Sequence, residues 1–228
     1  MPILAALAAV IVIALILGPQ WWVRSAMARH AADRPDLPGT GGELARHLLD
    51  LAGLDSVPVE IAPADHYDPI DRVVRLSPDH HDGRSITAVA VAAHEVAHAL
   101  QHAGGDRLLT LRVKLVPIVQ GFELAAAIVM ASAPILLAIV KSPVLLVLQL
   151  AIGVALLGGR LALHLLTLPV ELDASFRRAL PILETGRYLD APDLPGARTV
   201  LRAAAFTYVA SALISLVNVA RLRRLLPF

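Results

Sequence analysis

Four long runs of Ile, Leu, Val and Ala, separated by segments of ordinary water-soluble composition, predict a mainly α-helical membrane protein. It crosses the bilayer four times and carries a small α+β domain at the membrane surface. Composition points the same way: 57% of residues are hydrophobic and 17% charged, against about 45–50% and about 25% in soluble domains. With only 4% aromatics and a mean hydropathy of +0.67, the excess is aliphatic, as in helices dissolved in lipid tails. Collagenous and disordered chains are excluded. A net charge of +1 supplies no field to draw nucleic acid. The chain has no Cys, so thiolate zinc sites, redox motifs and disulfides are excluded, and any metal must be held by His and carboxylates.

The first span is expected within residues 1–22, where an aliphatic run to Gly18 meets Trp21 and Trp22 and then Arg24. Apolar core, aromatic belt and cationic anchor in that order mark a retained helix. A secretory signal peptide would carry a positively charged n-region, which this run lacks. Residues 23–114 form the soluble domain, with ten of the twenty Lys and Arg and thirteen of the nineteen acids. Residues 115–170 are two apolar stretches separated only by Lys141, Ser142 and Pro143, a transmembrane hairpin. Residues 171–202 are polar again. Residues 203–228 form the fourth span and a tail with Arg221, Arg223 and Arg224. A hairpin returns the chain to the side it left, so the two polar segments share a compartment. Together they hold fifteen of the twenty cationic side chains, which by the positive-inside bias places them in the cytoplasm. The three tail arginines run against that bias.

Within the soluble domain, Thr40 and Glu43 have the spacing of a capping box and predict a helix to about Ala52, stopped by Gly53. Residues 57–61 and 72–76 are short β-branched runs either side of the turn-rich stretch 63–69, and are expected to pair as a β-hairpin. Asp82 is expected to cap a longer helix from about Gly83 to His102, stopped by Gly104 and Gly105.

That helix carries His94-Glu95-Val96-Ala97-His98. Imidazoles four residues apart lie one turn apart on one helix face, where both reach a single metal ion, and Glu95 sits beside that face. Zinc held by two His, a third protein ligand and water lowers the pKa of the water, and a neighbouring glutamate takes its proton as a carbonyl is attacked. Glu95 is the candidate base. Two imidazoles and a carboxylate in an Ala- and Val-rich helix would be costly to bury without a metal or partners. The third ligand must come from the same side of the membrane. Glu171, the first acid after the third span, meets that condition if Pro169 begins a helix there; Asp173 is its near rival.

The runs His66-Tyr67-Asp68-Pro69, Val73 to Pro78, Gly83-Arg84-Ser85 and Ala93 to His102 strongly resemble the bacterial membrane-bound neutral zinc metallopeptidases of the YugP-like type. So do Leu168 to Glu171 with Ala174-Ser175, and Leu201 to Ala212. The resemblance covers almost the whole chain. It implies a multi-pass peptidase of the bacterial cell membrane with a zincin-like domain, one Zn2+ per chain, His94 and His98 as ligands, Glu95 as acid/base and Glu171 as third ligand. More distantly the chain resembles HtpX-type membrane peptidases, whose short motif opens with Glu and ends Ala-Asp. Ser175 stands here where the carboxylate of that closing Asp would be.

Further candidates rest on chemistry alone. His66 and Tyr67 are candidate donors to the developing oxyanion, and Asp65 and Asp68 candidate acceptors orienting a ligand imidazole. Residues 72–76, as an edge strand, would pair with an extended substrate. Glu123, Arg160 and His164 fall within spans, where interior pairing or snorkelling accounts for them, and Tyr208 is an interfacial aromatic. The expected partners are the bilayer and membrane-associated or unfolded polypeptides. One alternative is a site-2-type intramembrane protease completed by Asp190, although Asp79, Asp82, Arg84 and Asp106 flank the His-Glu helix. The other is a scaffold whose structural metal is closed by His102.

Overall fold

The computed structural model describes residues 2–218. It is mainly helical with one small sheet, in the order α1 (Pro2–Ala28), α2 (Gly41–Leu51), β1 (Val59–Ile61), β2 (His66–Asp68), β3 (Val73–Leu76), α3 (Pro78–His81), α4 (Ile86–Ala103), α5 (Arg107–Val140) and α6 (Pro143–Leu172). A π-helical turn (Asp173–Ala179), α7 (Leu180–Thr185) and α8 (Leu194–Asn218) complete it. The chain divides into two compact units, one of Met1–Gln20, Leu111–Thr167 and Tyr208–Phe228, the other of Trp21–Thr110 and Leu168–Thr207.

Among the described residues, Arg107–Val140 and the continuous helical stretch Pro143–Thr185 are long and apolar enough to cross a membrane. In the same unit, Gln149 Nε2 donates to Ser132 Oγ and to the Val129 carbonyl, both at 2.7 Å, tying α6 to α5. His164 stacks on Tyr208 at 5.5 Å, with the Arg112 guanidinium 4.4 Å over the same ring. Glu123 lies inside α5, half-buried. The Arg160 side chain and the tail arginines lie outside the described residues.

The second unit is built around α4. Residues 86–99 of that helix are buried, and α2, α3, α7, the sheet and the π-helical turn all pack on it. A helix this rich in Ala and Val belongs in a core, and its small side chains let neighbours approach closely. Leu48, Leu49, Leu76, Leu183 and Leu201 fill the space around it. Gly41 of α2 packs so closely that an added Cβ would meet the His80 and Ala88 carbonyl oxygens.

The Thr40 capping box is present: Thr40 Oγ1 accepts from Glu43 N at 3.2 Å and Glu43 Oε2 from Thr40 N at 2.7 Å. Gly53 follows the helix end at φ +68. Asp82, expected to cap α4, instead ends α3. Ser85 is the cap, in extended conformation with its Oγ accepting from Ala88 N at 3.0 Å. The short α3 uses up the residues that separate β3 from the long helix. Gly105 closes α4 at φ +68, a left-handed conformation that glycine adopts without penalty.

The expected hairpin is corrected. The runs containing β1 and β3 do pair, but in parallel, with Val59 opposite Val74 and Ile61 opposite Leu76. Parallel neighbours need a crossover, and the stretch read as a turn supplies one that contains a strand of its own. That strand, β2, pairs antiparallel with β3 in the order β1-β3-β2. Residues 72–76 are therefore not an edge for substrate, since β3 is flanked on both sides. No helix begins at Pro169 either: α6 runs through it, and the missing amide forfeits one bond to the preceding turn without ending the helix.

Candidate metal centre

α4 places His94 and His98 one turn apart, ring centroids 4.7 Å from each other, and the last turn of α6 brings in Glu171. Glu171 Oε2 lies 3.1 Å from His98 Nε2 and 3.3 Å from His94 Nε2. His94 and Glu171 are each 2% exposed and His98 4%. Asp173 is not part of this cluster; it accepts from Gln101 Nε2 and from Arg178 Nε.

Whether these residues suit a cation is decided by where their protons sit. Ser175 Oγ lies 3.0 Å from His94 Nδ1 and donates its one proton to the Leu201 carbonyl, also at 3.0 Å. Towards His94 it can only accept, so the imidazole proton is on Nδ1 and Nε2 presents a lone pair. Gln101 Oε1 lies 2.8 Å from His98 Nδ1 while its amide nitrogen donates elsewhere, with the same result. With both rings neutral, two nitrogen lone pairs and a carboxylate oxygen converge in a buried space. Such a set is repulsive until a cation enters, and two His with one Glu is a catalytic zinc set that leaves a position for water.

Glu95, on the same helix and 6% exposed, accepts from the Tyr67 amide at Oε2, 2.8 Å away. Burial pushes its carboxyl up from the ordinary range, more than the two imidazoles pull it down.

The family described as "Putative neutral zinc metallopeptidase" matches residues 5–226. The chain belongs to this zinc metallopeptidase family. It is also similar to the "Putative membrane protease YugP" of Bacillus subtilis (strain 168), with 39% identity over 212 residues, 90% of each chain. No solved structure matches. The enzyme is therefore a zinc metallopeptidase, and its cofactor is Zn2+.

The other sequence candidates of this metallopeptidase have different surroundings. Asp65 and Asp68, expected to orient a ligand imidazole, touch neither histidine. Asp65 accepts from Ser77 N and Oγ and pairs with His80 at 2.8 Å. Asp68 accepts from the Ile70 and Asp71 amides and from Arg75, holding the β2–β3 turn. Ser175 and Gln101 are the side chains on the outer nitrogens. His66 Nδ1 is bonded to the Ala64 carbonyl at 2.9 Å. The Tyr67 phenol lies 2.8 Å from His102 Nδ1, so the contact this residue makes with Glu95 comes from its backbone. His102, the residue required to close a structural site, is outside the cluster. Asp190, required by the site-2-type alternative, is exposed in a turn. Sequence reasoning missed Gln101. Its signal was a lone side-chain amide at i+3 from His98 on a helix made largely of Ala and Val.

Proposed function

We propose that the chain is an integral-membrane zinc endopeptidase that cuts membrane-associated or unfolded polypeptides. The buried His94–His98–Glu171 cluster beside Glu95 carries this reading. His94, His98 and Glu171 hold the metal. Zinc, when bound, polarises the scissile carbonyl and acidifies the attacking water. Glu95 takes the proton of that water and returns it to the leaving amine, with the Tyr67 amide fixing the carboxylate's orientation. Burial raises the affinity of the carboxyl for a proton, which suits a base that must hold it between the two steps. The donor for the developing oxyanion comes from the pair His66 and Tyr67 on β2, the strand that supplies that amide.

Membrane residence is supported by the two long apolar helices and by the name of the Bacillus relative. In the proposed topology the spans are 1–22, the hairpin 115–170 and 203–228 in the bacterial plasma membrane. The catalytic segment 23–114 and the ligand-bearing segment 171–202 face the cytoplasm.

The decisive experiment is metal analysis of the detergent-purified protein together with cleavage of fluorescein-labelled casein. About one zinc per chain is expected. Glu95→Gln retains the metal and loses turnover by about 10²–10⁴-fold, the span of general acid–base catalysis. A protein without zinc, or an active Glu95→Gln variant, overturns the mechanism.

A further inference from the structure

Gln101 is fully buried in a helix that is otherwise largely Ala and Val. A side-chain amide has two donors and an acceptor to satisfy, so its presence in a core asks for partners. The structure supplies them all. Oε1 lies 2.8 Å from His98 Nδ1, and Nε2 donates to the Val170 carbonyl and to Asp173 Oδ2, each at 2.9 Å. Asp173 is held in turn by Arg178 Nε at 2.7 Å.

We infer that Gln101 is a positioning residue for the zinc ligand His98, locking its protonated nitrogen away from the metal and tying its ring to the segment that carries Glu171. The inference rests on the assignment of His94, His98 and Glu171 as ligands. Val170 precedes Glu171 and Asp173 follows it by two residues, so one amide spans from one ligand to the segment that carries another. Its orientation is not free. Turning the amide over would set Oε1 against a carbonyl and a carboxylate, two acceptor–acceptor contacts, and would offer His98 a donor. His98 would then carry its proton on Nε2, the nitrogen facing Glu171. Asp173 therefore acts on the metal site through Gln101.

The π-helical turn makes this geometry available. Such turns are rare and concentrate at functional sites. This one begins with Asp173, which holds Gln101 for His98, and contains Ser175, which serves His94 directly.

The test uses full-length, detergent-solubilised protein. Zinc affinity is measured by competition with a chromophoric chelator. Histidine tautomers are read by 15N NMR of the zinc-free protein at about pH 8, above the imidazole value in model peptides. Gln101→Met keeps the length of the side chain and removes its hydrogen bonds. It is expected to weaken zinc by about 10–100-fold, the usual cost of losing an outer partner, and to turn the single Nδ1–H signal of His98 into a mixture while leaving His94 unchanged. Gln101→Glu, which sets a carboxylate against Asp173, is expected to weaken zinc as well. Adding Asp173→Asn, which turns the opposing group into a donor, is expected to recover affinity towards wild type. Zinc affinity and tautomers unchanged in Gln101→Met overturn the inference, as does a loss confined to the thermal stability of the zinc-free protein. If Gln101→Met does not fold, the Gln101→Glu pair decides: no recovery on adding Asp173→Asn overturns the inference. A wild-type protein that binds no zinc overturns the ligand assignment itself, which separates the two failures.

Discussion

Glu95 and Glu171 are both buried carboxylates on helices, yet their surroundings prepare them for different tasks. Glu171 faces two imidazole lone pairs, whereas Glu95 accepts a backbone amide and keeps a raised proton affinity. Glu171→Ala is expected to weaken zinc by more than the roughly 10–100-fold typical of outer partners, measured by the same chelator competition. Retention of wild-type affinity would remove Glu171 from the ligand set. The His-Glu-x-x-His spacing was legible because it is local: a helix alone brings i and i+4 to one face. Gln101 was not legible as a partner of His98, because its donor contacts come from residues 69 and 72 positions away. Asp65 and Asp68 misled for the complementary reason. Short acids in a turn suit an imidazole and a turn equally well, and only tertiary placement decides.

Elements with a chemical punctuation mark were readable, and those defined by pairing were not. The Thr40–Glu43 box announced α2, while β2 is three residues long within a stretch dense in turn formers. Parallel pairing of β1 with β3 has no local signature at all. For α4 the long helix was evident, but Asp82 and Ser85 are both good caps, and the intervening α3 chooses between them. Ser85→Ala is expected to lower stability by about 1 kcal/mol, whereas Asp82→Ala costs α4 nothing through capping; thermal midpoints of the two variants compare them. Gly41→Ala is expected to be worse than either, because backbone carbonyls of α3 and α4 occupy the space a methyl would need. The same thermal comparison checks it.

At the scale of the whole molecule, the aliphatic runs made the two long apolar helices of the structure legible, since lipid solubility is a property of composition. The compact unit around α4 was harder to foresee, because it joins residues 21–110 to residues 168–207 across a long excursion of chain. Its acid sensitivity follows from Asp65. Burial raises that carboxyl's pKa, but the bonds from His80 and Ser77 together outweigh burial and hold it below the ordinary range. A depressed folded-state pKa stabilises above the unfolded value of about 3.9, and the contribution disappears as pH falls through the folded value. Thermal midpoints measured downwards from about pH 5 are expected to fall, with a shallower slope in Asp65→Asn. Zinc should act on the same transition, since a ligand bound only by the folded state raises the midpoint with its concentration. The burial of α4 has one more consequence. The helix bearing His94, Glu95 and His98 is also the one its neighbours pack around, so a partly unfolded molecule keeps no intact cluster. Loss of fold parts His94 and His98 from Glu171, so unfolding and loss of the cluster are one event.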